Sequence, residues 1–256
     1  MLKKAVRKNG GNRGHGVGFG IALAIALGTL EMNAAAGATA MRIAVDEDAA
    51  EPVRFAAEEL CRYVNIATGL SLELSSDAAL SGWHAVALMR PGAPLPEPIR
   101  VPAATEEDAY RIVSLRDGGR SFTGRSPRAA LYAVYDFLEE ALGYRWYFPY
   151  PEDAVTPAVT PEAWEALLAR TEEREACPAF AFREREFRDV SPMNEHTDAR
   201  IVQQIDWWAK LRMNRFLLNF GYVQDQALWT RWKSTLIPEI KKRGLLVGLG
   251  EHGSYP

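Results

Sequence analysis

The chain has 256 residues and a formal net charge of −3 at pH 7, with 48% hydrophobic and 25% charged residues. This length is enough for one large domain or two ordinary ones, and the composition is that of a globular protein, which excludes disordered and fibrous classes. The net negative charge does not favour binding to nucleic acid or to an anionic membrane.

The first 40 residues are typical of a secretory signal peptide. Basic residues open the segment, an apolar run covers residues 17–30, and a small-x-small sequence ends at Ala40. The run has about 14 residues, fewer than the roughly 20 that span a bilayer, so a membrane anchor is the less favoured alternative. We predict cleavage after Ala40 and a secreted or periplasmic mature chain. Cleavage removes five basic residues and Glu31, which takes the net charge from −3 to −7.

The two cysteines, Cys61 and Cys177, could pair in an oxidising compartment. Cys61 lies beside the apolar face of a predicted helix, where a free thiol is the commoner state. Free thiols are therefore favoured, and a disulfide is the alternative.

The pattern after the signal segment predicts a small α+β domain over residues 41–150. Its first helix covers residues 50–68, has Pro52 in its first turn and stops at Gly69. Turn residues between the last two predicted strands favour a hairpin. The predicted strands cover residues 41–46, 71–74, 84–89, 110–115 and 121–124.

A second helix is predicted over residues 126–142. Ser126 is its N-cap, Pro127 takes the first helical position and Gly143 ends it. Its large apolar residues fall on one face, which predicts burial against a sheet without any ligand. In the sequence GYRWYFP that follows, Arg145 and Trp146 could reach toward a barrel mouth or clamp the two predicted domains together, and we favour the clamp.

Residues 151–176 are predicted to be a proline-rich linker with one short helix capped by Thr160. Residues 177–256 then alternate between strand and helix with short connections, which predicts parallel βαβ units. The strands are predicted at 180–188, 215–220 and 245–250, and the helices at 199–212 and 228–243. Three parallel strands leave an open edge, so we expect either further chain or association with a partner to cover it.

Ligands of parallel α/β proteins bind at the carboxyl ends of the strands, which selects the candidate site residues. Polar side chains such as Arg183 and Asp189 are costly in a barrel mouth unless they meet a polar ligand. Asn219 offers a donor and an acceptor for sugar hydroxyls, with a loop-capping role as its alternative. His252, beside Glu251, could serve as an acid, but a Glu-His dipeptide offers too few ligands for a metal. We predict no metal and no cofactor.

The charged residues between the first two candidates have a simpler interpretation. In the sequence FREREFRD, Arg185 points to the side opposite Glu184 and Glu186. For these three residues we expect ion pairs with neighbouring elements rather than ligand contacts.

No catalytic motif is recognisable in the chain. Glycoside hydrolysis needs two carboxylates about 5 to 9.5 Å apart across the sugar, and no Asp/Glu pair is predicted to be placed so. The serine-hydrolase, zinc-protease and phosphate-loop motifs are absent from the sequence.

The sequence GRSPRAALYAVYDFLEEALGYRWYFP, residues 124–149, resembles a signature in the N-terminal domain of the α-glucuronidase-like glycoside hydrolases and of the DUF4838 proteins. That domain is similar to the second domain of chitobiases and β-hexosaminidases, and it precedes a TIM barrel. The sequence PAFAFRE resembles the opening of barrel strand 1, which implies a sugar contact for Arg183. MNRFLLNFG and RGLLVGLGEHGSYP resemble strands 2 and 3, with Asn214 and Asn219 as the matched asparagines.

The resemblance implies a chitobiase-like α+β domain followed by an incomplete (β/α)8 barrel of about three strands, acting on a polysaccharide or oligosaccharide. Hexosaminidases carry histidines near the end of strand 2, where Leu217 and Asn219 stand here. The catalytic carboxylates of these families follow strand 4 and later strands, so no catalytic residue is assigned. We expect no glycosidase turnover from the 256-residue chain. The alternative is a non-catalytic glycan-binding or interaction module.

Overall fold

The computed structural model describes residues 41–93, 99–149, 154–179, 184–186, 197–219 and 226–250, so the predicted signal segment lies outside the described residues. Six strands form one mixed sheet: β1 (Arg42–Val45), β2 (Glu73–Ser76), β3 (Ala85–Met89), β4 (Tyr110–Ser114), β5 (Arg120–Gly124) and β8 (Glu173–Ala176). Their spatial order is β2-β1-β3-β5-β4-β8. Strands β1 and β2 are parallel, and the remaining neighbours are antiparallel.

Two helices cover one face of this sheet, as the sequence predicts. Helix α1 (Glu51–Thr68) ends at Gly69, whose φ of 74° is left-handed. Helix α2 (Pro127–Glu140) begins where the Ser126 hydroxyl accepts a hydrogen bond from the Ala129 amide at 3.2 Å. The helices bury their apolar faces against alternate residues of the central strands, including Ile43, Leu88, Ile112 and Phe122.

Arg120 is fully buried at the start of β5, and its side chain contacts the C-terminal end of the short helix α3 (Pro161–Ala169). Its guanidinium donates to the carbonyl oxygens of Leu167 at 2.8 Å and Arg170 at 2.7 Å. Carbonyl groups at a helix C-terminus have no partner within the helix, so a buried cation there satisfies them.

The structure differs from the predicted linker at its C-terminal end. Residues 173–176 form the edge strand β8, antiparallel to β4, instead of a connection. The sequence EREA lacks the apolar alternation that is typical of a strand. Its acidic residues instead face Arg111 of β4: Glu173 pairs with Arg111, and Glu175 lies 3.5 Å from it. Two shorter strands, β6 (Arg145–Trp146) and β7 (Ala154–Val155), pair antiparallel before α3.

The C-terminal part contains the predicted parallel unit. Helix α4 (Asp198–Lys210) precedes β9 (Arg215–Asn219), helix α5 (Gln226–Lys242) and β10 (Leu246–Gly250), and β9 and β10 are parallel. Of the strand predicted at 180–188, only residues 184–186 are described, and they are not assigned to a strand. The incomplete barrel therefore stays a prediction.

One hydrophobic core joins the two parts that the sequence analysis separates. Trp208 of α4 and Trp232 of α5 belong to the same buried cluster as Leu60 of α1 and Tyr135 of α2. Both cysteines are free, as favoured from the sequence.

Candidate functional site

Strands β9 and β10 end side by side. Their register pairs Asn219 with Gly250, so both strands end at the same edge of the pair. This carboxyl edge is where parallel α/β proteins bind ligands. The other predicted site residues, Arg183, Asp189, Glu251 and His252, lie outside the described residues, and their roles stay predictions.

Residues 184–186 lie at the opposite, amino end of β9. The Arg185 amide donates to the Asn214 side-chain oxygen at 2.7 Å, and the Asn214 amide donates to the Arg185 carbonyl at 3.1 Å. Arg215 lies 2.8 Å from Glu184 and 3.9 Å from Glu186, which confirms the ion pairs expected for these residues. Asn214, matched by the resemblance, thus fastens residue 185 to β9.

Asp108 is the centre of a buried polar network at this amino end. Arg128 donates to one of its oxygens through Nε at 2.9 Å and Nη2 at 2.6 Å, and Arg185 donates to the other. Burial alone would raise the pKa of Asp108, but the two guanidinium groups outweigh it and hold this pKa below its ordinary value. Arg128 also donates to the Gly244 carbonyl at 2.7 Å, so the network joins α2 to the turn before β10.

A second region with binding geometry is a cavity of about 310 Å³ between α1, α4 and the β6–β7 pair. We call it the aromatic cavity. Its lining is mostly apolar and aromatic with a few polar groups, which is the usual composition of a small-ligand site. The lining includes the aromatic rings of Phe148 and Trp207, the polar side chains of Thr156 and Gln203, and the charged side chains of Asp206 and Lys210.

Trp146 is the centre of the ring packing beside the aromatic cavity. Its ring stacks on Tyr144 with an interplanar angle of 8°, and it meets Tyr63 edge-on at 5.5 Å and Tyr135 at 5.7 Å. Trp207 of α4 donates its indole N–H to the Trp146 carbonyl at 2.9 Å. These contacts connect α1 and α2 to α4, as the clamp favoured for Trp146 requires. Arg145 does not take part in it through its hydrogen bonds, since it donates to the carbonyl oxygens of Glu139 and Tyr144 in its own segment.

The charged groups beside the cavity neutralise one another. Asp206 pairs with Lys210 and also lies 3.1 Å from Arg243. Arg243 reaches Glu239 at 2.6 Å as well. Because these pairs are largely buried, their attraction is screened less than that of surface pairs.

Glu59 lies beneath the same cluster and is nearly inaccessible to solvent. It lies 3.5 Å from Arg62 and accepts a hydrogen bond from the Tyr135 hydroxyl at 3.1 Å. Burial, together with the nearby charge of Asp206, raises the pKa of Glu59 above its ordinary value.

The aromatic cavity could not be identified from the sequence. Its residues come from four separate parts of the chain, namely α1, the segment that includes β6 and β7, α4 and Arg243, and the sequence feature nearest to it is the density of aromatic side chains in residues 144–148. That density indicated a contact surface but not the side chains on α1 and α4 that complete it.

Within the described ranges, no group of three or more His, Cys, Asp or Glu could hold a metal ion. In the same ranges, no helix is long and apolar enough to cross a membrane. Comparison of the chain with family models, curated proteins and solved structures finds no match.

Proposed function

We propose that the chain is part of a secreted, α-glucuronidase-like carbohydrate-active protein, and that it binds a polysaccharide or oligosaccharide at the carboxyl edge of β9 and β10. The observation that supports this proposal is the register between Asn219 and Gly250, which brings the ends of both strands to one edge. Sugar hydroxyls need donors and acceptors, and the residues at and after these strand ends, Asn219, Glu251 and His252, supply both.

The proposed edge binds sugar without cleaving it. Hydrolysis requires two carboxylates across the glycosidic bond, and the candidate residues at this edge do not include an assigned pair. A non-catalytic glycan-binding module is the second candidate, and it predicts the same binding without turnover. Coding DNA that continues past Pro256 into further strand and helix pattern with paired carboxylates would favour the enzyme over the module.

The test is calorimetric titration of the purified chain with an aldotetraouronic acid from glucuronoxylan. We expect Asn219→Ala and Arg183→Ala each to weaken binding about tenfold, because each removes one hydrogen-bonding group. Ser234→Ala is the matched control, since its exposed hydroxyl bonds the Arg231 carbonyl of its own helix at 2.8 Å. Unchanged affinity in both site variants would contradict the binding proposal, and release of reducing sugar by the chain would contradict the absence of turnover.

A further inference from the structure

We propose that the aromatic cavity is a second saccharide site, separate from the strand edge, and that it takes an uncharged pyranose ring. It lies between α1, α4 and the β6–β7 pair, and its volume of about 310 Å³ is at the lower end of the range for small-ligand sites.

An anionic ligand is disfavoured because the cations at the cavity already have carboxylate partners. Lys210 pairs with Asp206, and Arg243 reaches Asp206 and Glu239. An incoming carboxylate or phosphate would compete with these partly buried pairs and would meet the charge of Asp206.

A cationic ligand is disfavoured because the aromatic faces already hold a cation. The Lys210 ammonium lies 5.1 Å from the centre of the Tyr63 ring and 5.3 Å from that of Trp146. A second positive charge would be repelled by Lys210 at the position where cation–π attraction is strongest.

An uncharged pyranose ring suits the aromatic and polar side chains of the cavity that take no part in these charged contacts. Phe148 exposes 61% of its surface and Trp207 is half-buried, so both can offer a ring to a ligand. The C–H groups on a face of a pyranose ring carry partial positive charge, which suits the negative face of an aromatic ring. Gln203 and Thr156 lie in the same lining and can bond hydroxyl groups at the ring edge.

The test uses the Asn219→Ala chain, so that binding at the strand edge does not obscure the result. Xylopentaose, cellopentaose and mannopentaose are titrated by calorimetry, with trigalacturonate and choline as charged comparisons. We expect at least one neutral oligosaccharide to bind more tightly than about 1 mM and more tightly than both charged compounds.

Phe148→Ala should weaken that binding about tenfold, because it removes an exposed ring from the cavity. Tyr147→Ala is the matched control: Tyr147 is the neighbouring aromatic residue, is also 61% exposed and does not line the cavity, so its loss should change affinity less than about twofold. Since the site lies close to Trp146 and Trp207, their indole N–H resonances, assigned from Trp→Phe variants, should shift on titration.

Absence of binding by all three neutral oligosaccharides would overturn the proposal. So would tighter binding of trigalacturonate or choline, or equal losses in Phe148→Ala and Tyr147→Ala. Failure of the strand-edge proposal is distinguished from these outcomes, since it appears in the original chain as an affinity for aldotetraouronic acid that Asn219→Ala and Arg183→Ala do not change.

Discussion

Arg128 holds Asp108 through two nitrogen atoms, with Nε and Nη2 donating to the same carboxylate oxygen at 2.9 and 2.6 Å. The other oxygen accepts from Arg185, so one buried carboxylate contacts two buried guanidinium groups. We expect Asp108→Ala to lower the free energy of unfolding by about 3 to 5 kcal/mol, because it removes the buried carboxylate that both guanidinium groups contact. Urea denaturation measures the loss. Asp48→Ala, at an exposed aspartate, is the control and should change stability little.

The same carboxylate predicts a loss of stability in acid. The pKa of Asp108 is lower in the folded chain than its ordinary value of 3.8, so its stabilising effect is present above that value and is lost as the pH falls through the folded pKa. The stability difference between the original chain and Asp108→Asn should therefore be largest near neutral pH and should shrink in acid. Denaturant midpoints measured along a pH series test this, and a difference that is constant down to the lowest pH would contradict it.

Glu59 should show the opposite dependence. Its pKa is raised above the ordinary 4.5, so folding favours the protonated form, and its contribution weakens as the pH rises from the ordinary pKa through the folded one. Relative to Glu59→Gln, the original chain should become less stable as the pH increases over this interval. The same pH series provides the measurement, with Asp108→Asn as the comparison of opposite sign. Parallel curves for the two variants would refute the assignment.

Replacing Arg120 with methionine should destabilise the fold strongly. The variant retains an unbranched apolar chain but removes the charged donor of the Leu167 and Arg170 carbonyl oxygens, which keep only the Arg170 amide at 3.2 Å and the Ser114 hydroxyl at 3.1 Å. We expect a loss of about 3 kcal/mol, since each hydrogen bond from a charged group contributes about 1.5 to 3 kcal/mol. Thermal and urea unfolding measure it against Arg116→Met, where the arginine is exposed. Equal stability of the two variants would show that the capping contacts contribute nothing.

Gly124, before α2, and Gly69, after α1, should differ in their tolerance of alanine. A Cβ at Gly124 would lie 2.3 Å from the Ala130 amide nitrogen and 2.6 Å from the Ser126 carbonyl oxygen, and neither backbone atom can move without distorting α2. Gly124→Ala should cost about 3 kcal/mol or more. At Gly69 a Cβ meets nothing within 4 Å, so only the φ of 74° opposes it and the cost should be about 1 kcal/mol. Urea midpoints decide the order, and a larger loss at Gly69 would contradict it.

The positions of the helices and of the β9–β10 unit could be predicted because each has a strong local signal. Helix α2 has Ser126 and Pro127 at its start and apolar residues at helical spacing, and α1 ends at Gly69. Short apolar runs separated by helices similarly indicated parallel strands. These signals depend only on neighbouring residues, so the sequence carries them directly.

Strand β8 and the aromatic cavity could not be predicted because their signals are spread along the chain. In the sequence alone, Glu173 and Glu175 are typical of a linker. Their place in a strand is recognisable only from their ion pairs with Arg111 of β4. The cavity needs Tyr63, Trp146 and Lys210 to meet, and each alone is an ordinary surface or core residue. Ion pairing and ring packing between distant residues depend on the tertiary fold, which no local pattern specifies.

The edge strand β8 also determines where the chain can be divided for recombination or separate expression. A cut at residue 150 would separate β4 from its outer neighbour and present an unpaired, partly apolar strand to other molecules. A cut after residue 176 keeps the six strands together but still removes Trp208 and Trp232 from the buried cluster that they share with α1 and α2. The smallest exchangeable module of this protein therefore includes α4 and α5, and shuffling at either apparent boundary would produce chains prone to aggregation.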